Sequence, residues 1–140
     1  MANAIFPKGR EGFLNGDIDW ATATIKVSLV RSYTYDSTDE FVSDVTATGT
    51  LASTQTLGTK TATNGTADAA DVTFTSVTAN ANNHALLVYQ ASAVGGGADV
   101  AASAQRVIAY YDTGTNLPVV PNGGDVTVTW SSGADKMFTL

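Results

Sequence analysis

The sequence has no cysteine. Disulfides, thiolate metal centres and a cysteine nucleophile are therefore excluded, and the redox compartment stays open because a cysteine-free chain suits any of them. Charge is also scarce: Asp, Glu, Lys and Arg make up 14% of the 140 residues, against about 25% in ordinary soluble domains. The seven basic residues stand apart, at positions 8, 10, 26, 31, 60, 106 and 136, and thirteen acidic ones leave a net charge of -6. Nucleic acid is held mainly by clustered cations meeting phosphates, so no nucleic-acid partner is expected. Long apolar runs are missing too. No stretch approaches the ~20 residues of a membrane span, and Met1 to Glu11 carries charges where a signal peptide needs an apolar core. The expectation is a soluble chain made in the cytoplasm, with no membrane partner.

What the chain does contain is Thr, Ala, Val, Gly, Ser and Asn. Thr and Val suit pleated, half-buried surfaces, while Gly and Asn suit turns. With no break in composition, the reading is a single all-β domain, a sandwich or jelly-roll-like body with a short N-terminal helix. A domain of this length hides roughly two thirds of the surface its unfolded chain exposes, enough for a core without staples. Residues 1–23 read as an N-terminal arm and short helix, and residues 24–140 as the β-sandwich. Pro7 to Asn15 is the helical candidate, with Pro7 at the first position and Asn15-Gly16 as the stop, although Gly9 and Gly12 weaken it. A second helical turn is expected over Ser37 to Val45, capped by Ser37 or Thr38.

Strands follow from alternation. Ile25, Val27 and Leu29 alternate with Lys26, Ser28 and Val30, so one face of that strand meets the core. Asn64-Gly65 is a hairpin turn, with strands expected near Leu51 to Ala62 and Ala70 to Val77. His84 to Gln90 and Arg106 to Tyr111 are apolar enough to be central strands buried on both faces. Between them, residues 91–105 contain Gly95-Gly96-Gly97 and read as a flexible loop. Val126 to Trp130 and Lys136 to Leu140 are expected to pair as a C-terminal hairpin around Ser132 to Asp135.

The sharpest chemical motif is Asp112-Thr113-Gly114, which follows an apolar run as in half of an aspartic protease site. Such enzymes need two aspartates sharing a proton, which a single motif supplies only in a symmetric dimer like the retroviral proteases. Those enzymes also show a later apolar stretch ending in Gly-Arg-Asn or Gly-Arg-Asp. Here Asn116-Leu117-Pro118-Val119-Val120-Pro121-Asn122-Gly123-Gly124 follows instead, so the motif reads as a strand exit. His84 is the only histidine and no Gly-x-Ser-x-Gly elbow presents a serine; His84 reads as a polar residue at a loop-to-strand junction. Asp68 with Asp71, and Asp17 with Asp19, lack the spacing of a calcium loop. Gly95-Gly96-Gly97 lacks the following Lys-Ser or Lys-Thr of a phosphate loop, and Asn64-Gly65-Thr66 is a glycosylation sequon without a secretory signal. Trp20, Trp130 and the tyrosines at 33, 35, 89, 110 and 111 offer either a sugar-stacking platform or core packing, and packing is the commoner use. Neither an enzyme nor a cofactor or metal site is expected.

The opening from Met1 to Trp20, then Ile25 to Val30, Asp39-Glu40-Phe41-Val42-Ser43-Asp44-Val45 and Leu117 to Trp130 resemble a group of small proteins encoded among the structural genes of tailed bacteriophages. The resemblance is a pattern of strands and turns over nearly the whole chain, with residues 91–105 the part least alike. It implies a virion component, and the role preferred here is a capsid decoration or cement protein on the outer surface of the shell. Its expected partners are the major capsid protein and two further copies in a homotrimer. The residues expected to make capsid or subunit contacts are Ala4, Ile5 and Phe6, as an apolar arm, with Tyr110 and Tyr111. A tail or host-recognition component is the alternative.

Overall fold

The computed structural model describes residues 3–114 and 117–140; Met1, Ala2, Thr115 and Asn116 lie outside the described residues. A five-stranded antiparallel sheet forms the centre. Its strands, in spatial order, are β1 (Ala4–Ile5), β8 (Arg106–Tyr111), β7 (Ala85–Gln90), β2 (Ile25–Arg31) and β3 (Thr50–Thr56). The alternation in β2 sorts its side chains between two cores. Ile25, Val27 and Leu29 join Leu86 and Val88 on one face, while Val30 joins Leu87 and Tyr89 on the other. All six residues of β7 are buried, as its apolar run requires.

Two small sheets cover the first face. One is β10 (Phe138–Thr139), β5 (Thr66–Asp68) and β4 (Thr61–Thr63); the other is β6 (Val72–Phe74) with β9 (Val126–Val128). Ala67, Phe74, Val126 and Phe138 bring their side chains into that core. On the opposite face, α2 (Val42–Thr46) contributes Val42 and Val45, which pack with Phe6, Val107 and Tyr110 beneath Tyr33 and Tyr35. The chain is thus an all-β single domain of antiparallel sheets with one short N-terminal helix, α1 (Pro7–Asn15). No helix among the described residues is long and apolar enough to cross a membrane.

α1 has the bounds that Pro7 and Asn15-Gly16 predict, and Gly16 leaves it at φ 78. Gly9 and Gly12 weaken the helix in isolation, but packing uses both. A Cβ on Gly9 would stand 2.9 Å from the Ile108 carbonyl oxygen and 3.0 Å from that of Val107, so only glycine lets the helix lie against β8. Within β8, Val88 opposes Ala109 while Tyr89 opposes Val107, leaving Ile108 as a bulge residue. Ile108 and Ala109 consequently both face the first core, and Tyr110 returns to the second.

Several expectations are corrected. Residues 3–6 are not a free arm: Ala4 pairs with Tyr110, Ile5 with Ala109, and the Phe6 N–H donates to the Ile108 carbonyl at 2.9 Å. The physical reason is the edge of β8, whose backbone groups need partners. Residues 4–6 supply them along one half, while Glu40 and Val42 pair with Val107 and Gln105 along the other. The segment before residue 24 is therefore part of the same body. The second helix starts at Val42 because Asp44 accepts hydrogen bonds from the Glu40 and Phe41 N–H groups, while Asp36 uses its carboxylate on Thr38. The strand expected over 51–62 breaks at Leu57 to Lys60, where Thr59 has φ 51. The one expected over 70–77 is only β6, since β5 begins directly after the Asn64-Gly65 turn (φ 53 and 80). The C-terminal hairpin does not form. β9 pairs with β6, placing Val126 beside Phe74 and Val128 beside Val72, and β10 pairs with β5. Alternation fixes which face a strand buries, but not which neighbour it takes.

Residues 91–105 are largely exposed but tethered. Lys26 reaches Asp99 at 2.6 Å, the Thr22 and Thr24 hydroxyls donate to the carbonyls of Val94 and Gly97, and Ala102–Ala104 form a single 3-10 turn.

Candidate functional site

β8 ends in the Asp112-Thr113-Gly114 motif, and its geometry is that of a clamped turn. The N–H groups of Asp112 and Thr113 both donate to Asn3 Oδ1 at 3.0 Å, and Asn3 Nδ2 donates back to the Thr113 carbonyl at 2.9 Å. The Thr113 hydroxyl lies 3.1 Å from Asp112 Oδ1, and Gly114 takes φ 152 before bridging to Leu117. This places the motif at the strand exit.

The residues expected at an interface are brought together by the β1–β8 pairing, and two of them, Phe6 and Tyr110, face inward. Phe6 is fully buried with its ring 4.9 Å from Tyr35; Tyr110 is buried between Tyr33 and Tyr35, at 5.6 and 5.8 Å. Burial, and then the Asp112 charge, raise the Tyr110 phenol above its ordinary pKa. Tyr111 is half-buried, donates from its hydroxyl to the Met137 carbonyl at 2.6 Å and is likewise pushed up by burial. Ala4 and Ile5 stay partly exposed on the sheet edge.

His84 stands at the expected loop-to-strand junction, directly before β7, and its side chain is fully buried there. Its backbone exchanges two hydrogen bonds with Val119, at 2.7 and 3.0 Å, and Nδ1 lies 2.8 Å from the Asn82 carbonyl, so Nδ1 carries the proton. Nε2 is the buried side-chain atom left without a partner among the described residues. The apolar run after His84 is the one sequence signal for its burial.

The candidate carboxylates are engaged one by one. Asp17 lies 3.4 Å from Arg106, Asp71 accepts from the Trp130 N–H, and Asp68 is 4.0 Å from Lys136. Asp19 accepts from the Thr22 hydroxyl at 2.7 Å and from two backbone N–H groups, and those bonds hold its pKa below the usual range. Among the described residues no three His, Asp or Glu side chains gather where they would hold a metal ion.

The two tryptophans have separate fates. Trp20 is buried, its Nε1 donating to the Thr61 carbonyl and its ring meeting Phe138 edge-on at 5.3 Å. Trp130 is partly exposed and lines a groove of about 700 Å³ together with Tyr111, 5.8 Å away. Its Nε1 donates to the Ala70 carbonyl at 3.1 Å. Thr113, Ser132, Asp135 and Lys136 line the same groove. A smaller groove of about 530 Å³ lies beside Tyr33, Tyr110 and Asp112.

Comparison with known proteins finds no family model that matches the chain, no similar curated protein and no similar solved structure. The groove at Trp130 is where aromatic faces, hydroxyls and a carboxylate meet on one concave surface, a combination invisible in sequence because its lining comes from four separate parts of the chain, around Asn3, Leu86, Tyr111 and Trp130.

Proposed function

We propose that the protein is a structural component of a tailed-bacteriophage virion, seated as a homotrimer on the outside of the major capsid shell and stabilising the head. The structural observation that supports this reading is the central sheet, covered on both faces and closed along its β8 edge. Such a body transmits load between neighbouring subunits without rearranging, which is what a cement protein must do. The sequence resemblance supports the same role, and a net charge of -6 suits a surface turned away from packaged DNA. Because residues 4–6 are committed to the protein's own sheet, shell contacts pass to exposed apolar side chains such as Leu14, Val94 and Val120.

Heads assembled without the protein are expected to burst at a lower temperature than complete heads, measured by release of packaged DNA on heating. Equal bursting temperatures would remove the cementing role, and a map of the virion showing the protein elsewhere would remove the location. A tail or host-recognition component is the second reading. The half-exposed Trp130 in one groove with Asp135 is the observation in its favour.

A further inference from the structure

We propose that the groove beside Trp130 is a binding site for a neutral saccharide. The indole N–H is already used on the Ala70 carbonyl and the Tyr111 hydroxyl on the Met137 carbonyl. What the two side chains offer a ligand is therefore ring surface, the part that packs against the C–H face of a sugar. Thr113, Ser132, Asp135 and Lys136 also line the groove; the Lys136 ammonium is turned to Asp68, 4.0 Å away, so the hydroxyls and the Asp135 carboxylate are the polar groups nearest a ligand. These groups provide both donors and acceptors for a ligand rich in hydroxyls.

Charge selects against other ligands. With the Lys136 ammonium drawn to Asp68, the charge left on the groove is the Asp135 carboxylate, which repels an anion. A neutral polyhydroxyl compound donates hydrogen bonds to that carboxylate and meets no such repulsion. The groove volume of about 700 Å³ falls within the roughly 300–1,000 Å³ typical of small-molecule sites. Trp20 offers no such surface, being enclosed by Phe138 and the first core. The inference does not rest on the decoration reading, since it concerns the isolated chain and holds wherever in a virion the protein sits.

The experiment titrates the full chain with glucose, galactose, N-acetylglucosamine and short β-linked oligomers of glucose and N-acetylglucosamine, following the two indole N–H resonances by NMR. With at least one of these sugars the Trp130 resonance shifts saturably while that of Trp20 stays in place. Asp135→Asn, an exposed and nearly isosteric change, weakens the affinity about tenfold, the loss of one hydrogen bond to a charged group. Trp130→Ala abolishes binding, and Trp130→Phe, which keeps an aromatic surface should the alanine variant unfold, retains part of it. The proposal is overturned by the absence of a saturable shift with every sugar, by equal shifts at both tryptophans, or by unchanged affinity in Asp135→Asn and Trp130→Phe together.

Discussion

A single missing methyl group sets the position of α1. Alanine in place of Gly9 would strengthen an isolated helix by up to about 1 kcal/mol. In this fold its Cβ would press on two β8 carbonyls at 2.9 and 3.0 Å, and overpacking against backbone costs about 1–3 kcal/mol. Gly9→Ala should therefore lower stability in urea unfolding, with Leu14→Ala, at a position 88% exposed, as a reference expected to change it by less than about 0.5 kcal/mol. A Gly9→Ala protein as stable as its parent would contradict the close approach. The sequence shows Gly9 only as a liability, because the strand it touches lies about a hundred residues away in the chain. His84 is obscured in the same way. Asn80 to Asn83 reads as a turn, and the burial of the following residue depends on Val119, which local pattern does not reach.

Elements were legible where the signal is local. The bounds of α1 follow from Pro7 and Gly16, and β2, β7 and β8 from runs whose apolar residues have nowhere else to go. The turn at Asn64-Gly65 was legible, but the strand it pairs was not: β5 begins at Thr66, whereas the strand expected over Ala70 to Val77 is β6, which pairs with β9. Gly65→Ala should cost about 1–2 kcal/mol, since alanine must hold a φ of 80 there. Thermal unfolding checks this, and an unchanged midpoint would mean that another turn serves as well. For β9 and β10 the alternation was right and the partners wrong, because Asp71 and Ala70 draw Trp130 toward β6. The N-terminal segment reverses its expected role most fully. Phe6→Ala should lose about 3–5 kcal/mol, as befits a ring with no exposed surface, measured by chemical denaturation. A loss below about 1 kcal/mol, the size expected of an exposed arm residue, would reinstate the arm.

At the scale of the whole molecule, the aromatic layer makes stability sensitive to alkali. Burial raises the pKa values of Tyr33, Tyr35, Tyr110 and Tyr111 in the folded chain; the Tyr33 bond to Asp39 adds to its rise. In the unfolded chain the same phenols ionise near about pH 10. Their contribution to stability is present in full below that pH and is lost as pH rises beyond it toward the folded-state values. Lys60 acts in the opposite sense, since burial lowers its pKa, but it is one group against four. The urea midpoint should accordingly fall between about pH 9 and pH 11, and Tyr111→Phe should flatten that decline. A flat profile in the parent protein would mean that the phenols ionise as easily in the folded state as in the unfolded one.

The clamp that Asn3 places on Thr113 joins positions 110 apart, and this has a consequence for how the protein is made. During synthesis β1 leaves the ribosome first and has no strand to pair with until β8 has followed it, so the nascent chain cannot finish its main sheet piecemeal. A translation product that stops before Arg106 would leave β7 without its neighbour and Phe6 without a pocket, presenting an open strand edge to other chains in the cell.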